Sequence, residues 1–551
     1  MRRRTFLLSA LAGATVPFVD PELSFAATGA TKKNIKRGGK MTVTYKNDPG
    51  TLDPAIAYNW ENWPMLRALF SRPLGYEAGT TKLTTDAAQS WHVSKDGKVY
   101  TIIIRPDVKF YDGSKVTAHD VKYSLERVIN PKTASPGQSF YDSLEGYEEA
   151  SKGKAKHVSG IKVVDDHHLE FRLSAPDATF PQVLALNFSS IVKKEAVEKY
   201  GKDFAHHPVG SGAFYVDRYN PGNMISWKRN KHYYEPNVPY LDEIEFKLGV
   251  DQLTAFFQLI RGENDLLGDG IPGSQLAMVK SRPKYKKLMV VGHPLETSYI
   301  TMNTQLKPFD DRKVRQAVNM AIDKKHIVRV INGRGKPANQ ILPPGMPGYD
   351  PSYKGYEYNP DKARQLLKEA GYKDGFKTEL YAMNTAPEPK IAQALQADLK
   401  KVGIDVELRL LSQAQVVSIA GTPKKAPMVW SGGLAWEDDF PDPSDFYGPI
   451  LGCGSAIKGG WNWAFYCNKK TDEMAHKANR MYEPDQRSDR LNLWQKIFSD
   501  VMDDAPWVPV FNKIKYVMHS DKVAGNPSKV FVDPGIFPFN YAYMYATSLQ
   551  D

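Results

Sequence analysis

The stretch from Ala88 to Val128 restricts the fold more than any other part of the chain, because it changes periodicity three times within one short segment. Ser90 to Ser94 and Lys98 to Arg105 alternate at the two-residue period of a strand. Between them, Lys95-Asp96-Gly97 offers the Asp-Gly pair that supplies the positive φ of a tight hairpin. Asp112-Gly113 marks a second turn. Thr117, with Asp120 three positions on, has the form of a capping box, and Val121, Leu125 and Val128 then recur at helical spacing. Strand, strand and helix in such close succession belong to the mixed α/β class.

The alternation continues along the chain. Lys40 to Tyr45 reads as a strand. Asp310 or Asp311 caps a helix whose apolar positions Val314, Ala317, Val318, Ala321 and Ile322 form one stripe. Asn359-Pro360 opens another helix and Gly371 closes it. Lys390 to Val402 is helical, Val406 to Leu411 and Met428 to Trp430 are strands, and Leu491 to Met502 is a helix before the strand Trp507 to Phe511. No self-similar repeat is visible. The expected class is α/β, with sheets flanked by helices.

The N-terminus reads as an address rather than structure. Arg2, Arg3 and Arg4 precede an apolar stretch from Phe6 to Val19, and Ser24-Phe25-Ala26 offers the small residues of a cleavage site. Met1 to Ala26 is therefore expected to be a removed signal. Arg3-Arg4-Thr5-Phe6-Leu7 is similar to the twin-arginine export pattern, with a plain secretory signal as the alternative. No cysteine lies near the cleavage site, so the expectation is a free periplasmic protein without a lipid anchor.

Composition then excludes several classes. Only Cys453 and Cys467 are present, so a Cys-rich zinc or iron–sulfur scaffold is not available. In an oxidising compartment these two, with thirteen residues between them, read first as a disulfide, with a metal pair or free thiols as alternatives. The net charge of +11 falls to +10 once three Arg, Asp20 and Glu22 leave with the signal. The basic residues are scattered in pairs at most (Lys32-Lys33, Lys286-Lys287, Lys424-Lys425), which gives nucleic acid no stripe to bind. No Walker loop, GxGxxG, HExxH or GxSxG pattern occurs. Gly210-Ser211-Gly212 reads as a turn before a strand rather than a nucleophile. His167-His168 falls in a strand, where neighbours point to opposite faces, and His206-His207 in a loop before Pro208; neither pair suits a metal.

The acidic run Glu437-Asp438-Asp439-Phe440-Pro441-Asp442-Pro443-Ser444-Asp445 is the sharpest chemical feature. It suits a cation, a catalytic carboxylate pair or a ligand ammonium. It equally suits a solvated loop in which Asp442 and Asp445 cap turns.

In order along the chain, several segments resemble the extracytoplasmic solute-binding proteins of family 5, which serve peptide- and nickel-type ABC transporters. Ala88 to Val128 resembles the family signature, and Pro208-Val209-Gly210-Ser211-Gly212-Ala213-Phe214 its P-x-G-T-G-P-F turn, with Ser and Ala substituted. Pro308-Phe309-Asp310-Asp311, Val314-Arg315-Gln316-Ala317, Asn359 to Phe376, Asn462 with Cys467-Asn468, and Asp504-Ala505-Pro506-Trp507 are also typical. The resemblance implies a two-lobed, Venus-flytrap α/β fold. The first lobe would span residues 40–299 and 513–551 with an extra subdomain near 60–180, and the second lobe residues 300–512. It also implies a monomeric, non-enzymatic protein without cofactors. Such a protein hands a peptide-like solute to an inner-membrane permease and its ATPase subunits.

Residue by residue, the resemblance assigns Asp439 to the ligand's α-ammonium and Trp436 to the cleft wall. It nominates Tyr58, Asn59 and Trp60, after Leu52-Asp53-Pro54, from the first lobe, and Trp461 and Asn462 from the loop between the cysteines. The chain departs from dipeptide-binding members between Met383 and Lys390, where it is shorter and lacks their arginines; Lys390 is the substitute cation for a ligand carboxylate. The family also includes binders of oligosaccharides, opine-like compounds, metal complexes and haem. A secreted hydrolase using Asp439 and Asp442 is the alternative from another class.

Overall fold

The computed structural model describes residues 35–531 and 538–550. The expected leader, Met1 to Ala26, lies outside them. Two large sheets organise the rest. The first has five strands in the order Leu266–Leu267, Lys40–Thr44, Glu243–Lys247, Met224–Arg229 and Phe214–Asn220. Its first two pairings are parallel, with Val43 opposite both Phe246 and Leu266, and the others are antiparallel. Met41 and Val43, on one face of the Lys40–Thr44 strand, are fully buried, as period two requires.

The second sheet has seven strands. Its main path runs Gly335–Pro337, Trp507–Lys513, Glu296–Met302, Met428–Trp430, Phe376–Met383 and Ile404–Leu411, and the short strand Trp436–Glu437 adds to Glu296–Met302. The helix Arg312–Ala321 packs with it, capped by Asp311, which accepts from the Lys313 N–H. Val314, Ala317, Val318 and Ala321 on its apolar stripe are 0% exposed. Burying each larger aliphatic side chain contributes roughly 1.5–3 kcal/mol.

A four-stranded sheet, Ala88–Val93, Val99–Ile104, His168–Arg172 and Ile161–Val163, takes its first two strands from the Ala88–Val128 segment. Gly97 takes φ 69° in its hairpin, and the Thr117–Asp120 capping box starts the helix Ala118–Ile129. That helix projects Arg127 onto Asp53, whose carboxylate receives both terminal guanidinium nitrogens, one at 2.7 Å. The charge-assisted fork fixes the Leu52-Asp53-Pro54 turn and therefore the segment that follows it.

Two short tethers connect the large sheets. Met289–Gly292 pairs antiparallel with Lys515–Met518. From this ribbon, His293-Pro294-Leu295 leads into the strand Glu296–Met302, and Ile514 alone follows the strand Trp507–Lys513.

Some boundaries differ from the sequence expectations. The helix expected from Lys390 begins at Glu388, which is buried against Trp430 by a 2.7 Å hydrogen bond from the indole N–H. The helix expected from Leu491 begins at Arg487, because its first turn is polar and carries no apolar period, with Arg490 alone turned inward. His206 ends a 3-10 helix, Gly201–His206, rather than lying in an open loop; it and His207 both face the Asp203 carboxylate, at 2.6 and 3.1 Å. Gly210-Ser211-Gly212 is a tight structural turn: a Cβ on Gly210 or Gly212 would fall within 2.4 Å of the Leu69 or Ala68 carbonyl oxygen, and Ser211 is fully buried. Among the described residues, no helix is long and apolar enough to cross a membrane, and no group of three or more His, Cys, Asp or Glu suits a metal ion.

Candidate functional site

The acidic run follows a short strand that pairs with Glu296–Met302, an interior strand of the second sheet. Trp436–Glu437 pairs with Glu296 and Thr297, and the Asp438 N–H donates to the carbonyl of Leu295 in a tether. From there the chain turns back and its carboxylates divide into distinct roles.

Asp442 is structural. It caps the 3-10 turn Pro443–Phe446 by accepting from the Ser444 N–H and hydroxyl, and it receives a fork from Arg490 at 2.7 and 2.8 Å. Burial pushes its carboxyl upward, but the Arg490 guanidinium and Ser444 overcome this and hold it below the usual carboxylate range. Asp445 is also internal: one oxygen accepts from the Trp436 indole N–H and the Asp439 N–H, both at 3.1 Å. Burial first, then the adjacent Asp439 and Asp438 charges, raise it well above its ordinary range. Asp438 is 2% exposed and its Oδ1 has no hydrogen-bond partner; burial, with Glu437 and Asp439 adding, raises it likewise.

Asp439 faces the other way. The Tyr58 hydroxyl donates to its two carboxylate oxygens, at 2.8 and 2.9 Å. Burial pushes Asp439 up to about 7, partly offset by the Tyr58 hydrogen bond, and no cation pairs with it among the described residues. The acid is thus positioned by Asp445 and left without a counter-charge.

The opposing wall is aromatic. Asn59 and Asn62 exchange hydrogen bonds between side chain and backbone, and the Asn59 amide donates to the Pro49 carbonyl, which shapes the turn carrying Tyr58 and Trp60. Tyr58 lies 5.8 Å from Trp63 and 5.4 Å from Phe188, ring centre to ring centre. Phe188 continues through Phe140, at 5.8 Å, to Phe440 beside the acidic run, at 6.3 Å. Tyr58, Asn59, Trp60, Trp63 and Glu437 line a cavity of ≈ 110 Å³. Tyr58 and Trp60 keep 41% and 38% of their surface exposed although they lie between the sheets. Exposed rings at the mouth of a cleft are suited to an organic ligand.

The other nominated residues divide. Trp436 is buried at the base of the cleft and meets the exposed Trp461 edge-on at 6.2 Å, so both border the acidic run. Cys453 and Cys467 form a disulfide with Cα atoms 4.4 Å apart, which closes the loop carrying Trp461. Asn462 does not face the cleft: it is 1% exposed, and its amide is spent on the Gly452 and Tyr466 carbonyls and the Tyr466 N–H. Lys390 is exposed in the first turn of its helix and is not brought to the Tyr58–Asp439 pair.

Sequence reasoning missed Trp63, Phe188, Phe140 and Phe440, since an aromatic residue in a core and one in a cleft wall have the same local pattern. It also missed Lys515, whose ammonium lies 4.8 Å from the Trp60 ring centre. A lysine two residues after another in an otherwise apolar stretch was the only available signal.

The family described as bacterial extracellular solute-binding proteins, family 5, middle region, matches residues 82–458. The chain belongs to that family. It is 30% identical over 479 residues to a glutathione-binding protein, GsiB, of Salmonella typhi, covering 86% of this chain and 89% of the relative. An Escherichia coli O1:K1 GsiB is 29% identical over 490 residues, 88% and 91% of the two chains. Among solved structures, the periplasmic binding protein DppA of Helicobacter pylori in complex with the peptide STSA matches with TM-score 0.76 and 28% identity over 92% of this chain and 98% of that one. The oligopeptide-binding protein 2 of clavulanic acid biosynthesis shares the fold at TM-score 0.83, with 22% identity over 93% and 96%. The two-lobed α/β fold is therefore that of the family's periplasmic binding proteins.

Proposed function

We propose that this protein is the substrate-binding component of an ABC importer and captures a peptide-like solute through its free amino group. The observation that carries this reading is the Tyr58–Asp439 contact: an uncompensated carboxylate from one sheet meets an aromatic wall from the other. An ammonium placed there would gain a charge-assisted hydrogen bond in a site shielded from water. The relatives named above, which bind glutathione or hold a peptide, support a ligand of this class.

The first lobe comprises residues 40–292 and 515–551, with the subdomain near 60–180, and the second residues 296–513, because boundaries at 299/300 and 512/513 would cut the second-sheet strands Glu296–Met302 and Trp507–Lys513. Both tethers bend as the lobes open and close. The exported, monomeric protein works in the periplasm, after twin-arginine export, and delivers its solute to an inner-membrane permease and its ATPases. It performs no catalysis: Asp442, which a hydrolase would need, is committed to Arg490. Calorimetric titration with a free tripeptide and its N-acetylated form tests the reading. Binding of the free form alone supports it, and equal binding of both overturns it.

A further inference from the structure

Asp439 is not the only carboxylate beside the cavity. Glu437, two residues earlier, forms its wall together with Tyr58, Asn59, Trp60 and Trp63. Among the described residues Glu437 has no salt-bridge partner within 4.0 Å, although several charges surround it. Glu296, on the strand it pairs with, is engaged by Lys513 at 2.9 Å. Lys515 lies over the Trp60 ring at 4.8 Å and the Phe539 ring at 5.9 Å, without an ion pair of its own. Asp269 accepts from the Lys46 N–H, and Glu61 from the Asn47 amide. Lys513 and Lys515 both act on Glu437, but the carboxylates of Glu296, Glu437 and Asp269 outnumber these two cations. The floor of the cleft is acidic, in a protein that is basic overall.

Burial first, then Glu296, push the Glu437 carboxyl up to about 7, although Lys513 and Lys515 oppose the rise. The cavity of ≈ 110 Å³ is well above the ~10–15 Å³ that a single water needs. That suits an ammonium or guanidinium head with its last methylenes, and Trp60 and Trp63 add faces that attract cations.

We propose that Glu437 is a specificity-determining residue of the cleft: it receives a second positive charge on the ligand, close to the ammonium held by Asp439. The preferred solutes are then amine-bearing peptides whose first side chain is basic. This inference rests on the assignment of Asp439 to the ligand ammonium.

The test titrates the full-length mature protein with three tripeptides: Lys-Ala-Ala, norleucyl-Ala-Ala, which keeps the chain but not its charge, and N-acetyl-Lys-Ala-Ala. Wild type is expected to bind the lysyl peptide about tenfold or more tighter than the norleucyl one. Glu437→Gln should bring the two within about twofold by weakening the lysyl peptide selectively, with the norleucyl peptide still bound, a pattern that a misfolded variant would not give. Lys515→Met removes the competing cation and should widen the wild-type ratio. A ratio near one in wild type, or a ratio that survives Glu437→Gln while acetylation still abolishes binding, overturns the role of Glu437 alone. Equal binding of the acetylated peptide, or no binding of any free-amine probe, overturns the assignment of Asp439 and this inference with it.

Discussion

The Tyr58 hydroxyl reaches both oxygens of Asp439 across 381 positions of sequence and joins the turn after the first strand to the acidic run beside the second sheet. This hydroxyl is the donor at Asp439 that the ammonium of the proposed ligand would replace. A hydroxyl is a weaker partner for a carboxylate than an ammonium, so the contact holds the acid in position and yields it to a cation.

Replacing Asp439 with Asn is expected to weaken binding of a free-amine tripeptide by about 2 kcal/mol or more, the cost of removing one partner of a shielded charge pair. Calorimetry checks this. Because the acid is uncompensated in the free protein, the same change should raise the unliganded protein's stability at neutral pH by on the order of 1 kcal/mol. Denaturant unfolding measures that opposite sign.

Ligand affinity should follow a bell-shaped pH profile. Asp439, raised to about 7, must ionise to hold an ammonium, so binding strengthens as pH rises through that value. A ligand α-amino group loses its proton above about 7.7–8.0, and binding then declines. For folding, a carboxyl raised in the native state binds its proton more tightly there than in the unfolded chain. Stability of the unliganded protein should therefore decrease as pH climbs from the ordinary carboxylate range toward 7, and saturating ligand should offset the decrease. Titrations and melting curves across pH 5–9 read both effects.

The Arg490–Asp442 fork predicts a strong stability effect with a definite pattern. Arg490→Met leaves a buried carboxylate unpaired and should cost about 3–5 kcal/mol. Adding Asp442→Asn should recover a large share of that loss, which a double-mutant unfolding cycle measures.

Reduction of the Cys453–Cys467 bond opens a loop whose ends are 14 positions apart, for which chain entropy suggests a loss of about 3 kcal/mol. The loop carries Trp461 against Trp436, so the reduced protein should also show altered tryptophan fluorescence on ligand addition.

The sequence made the fold class legible because local chemistry specified it. The Thr117–Asp120 box, the Asp96-Gly97 turn and the Asn359-Pro360 helix start each act within a few residues, and each is present. The site was legible only through resemblance. Nothing local separates Asp439 from Asp438, Asp442 or Asp445; their roles are set by Tyr58, Arg490 and Trp436, which arrive from elsewhere in the chain or from the far side of a turn. Asn462 shows the reverse case: a polar side chain in a promising loop proves to be consumed by the loop's own backbone. Lys515 escaped because its meaning depends on Trp60, which only the folded ribbon brings to it.

The tethers have a consequence for signalling. Two adjacent strands are joined to the second sheet through His293-Pro294-Leu295 and through Ile514, so a hinge of the proposed function would turn about this ribbon. Occupancy of the proposed site would thereby be converted into a single angle. A permease that gauges this angle has no need to recognise the cargo itself, and one pair of fluorophores placed across the cleft would report every bound solute on a common scale.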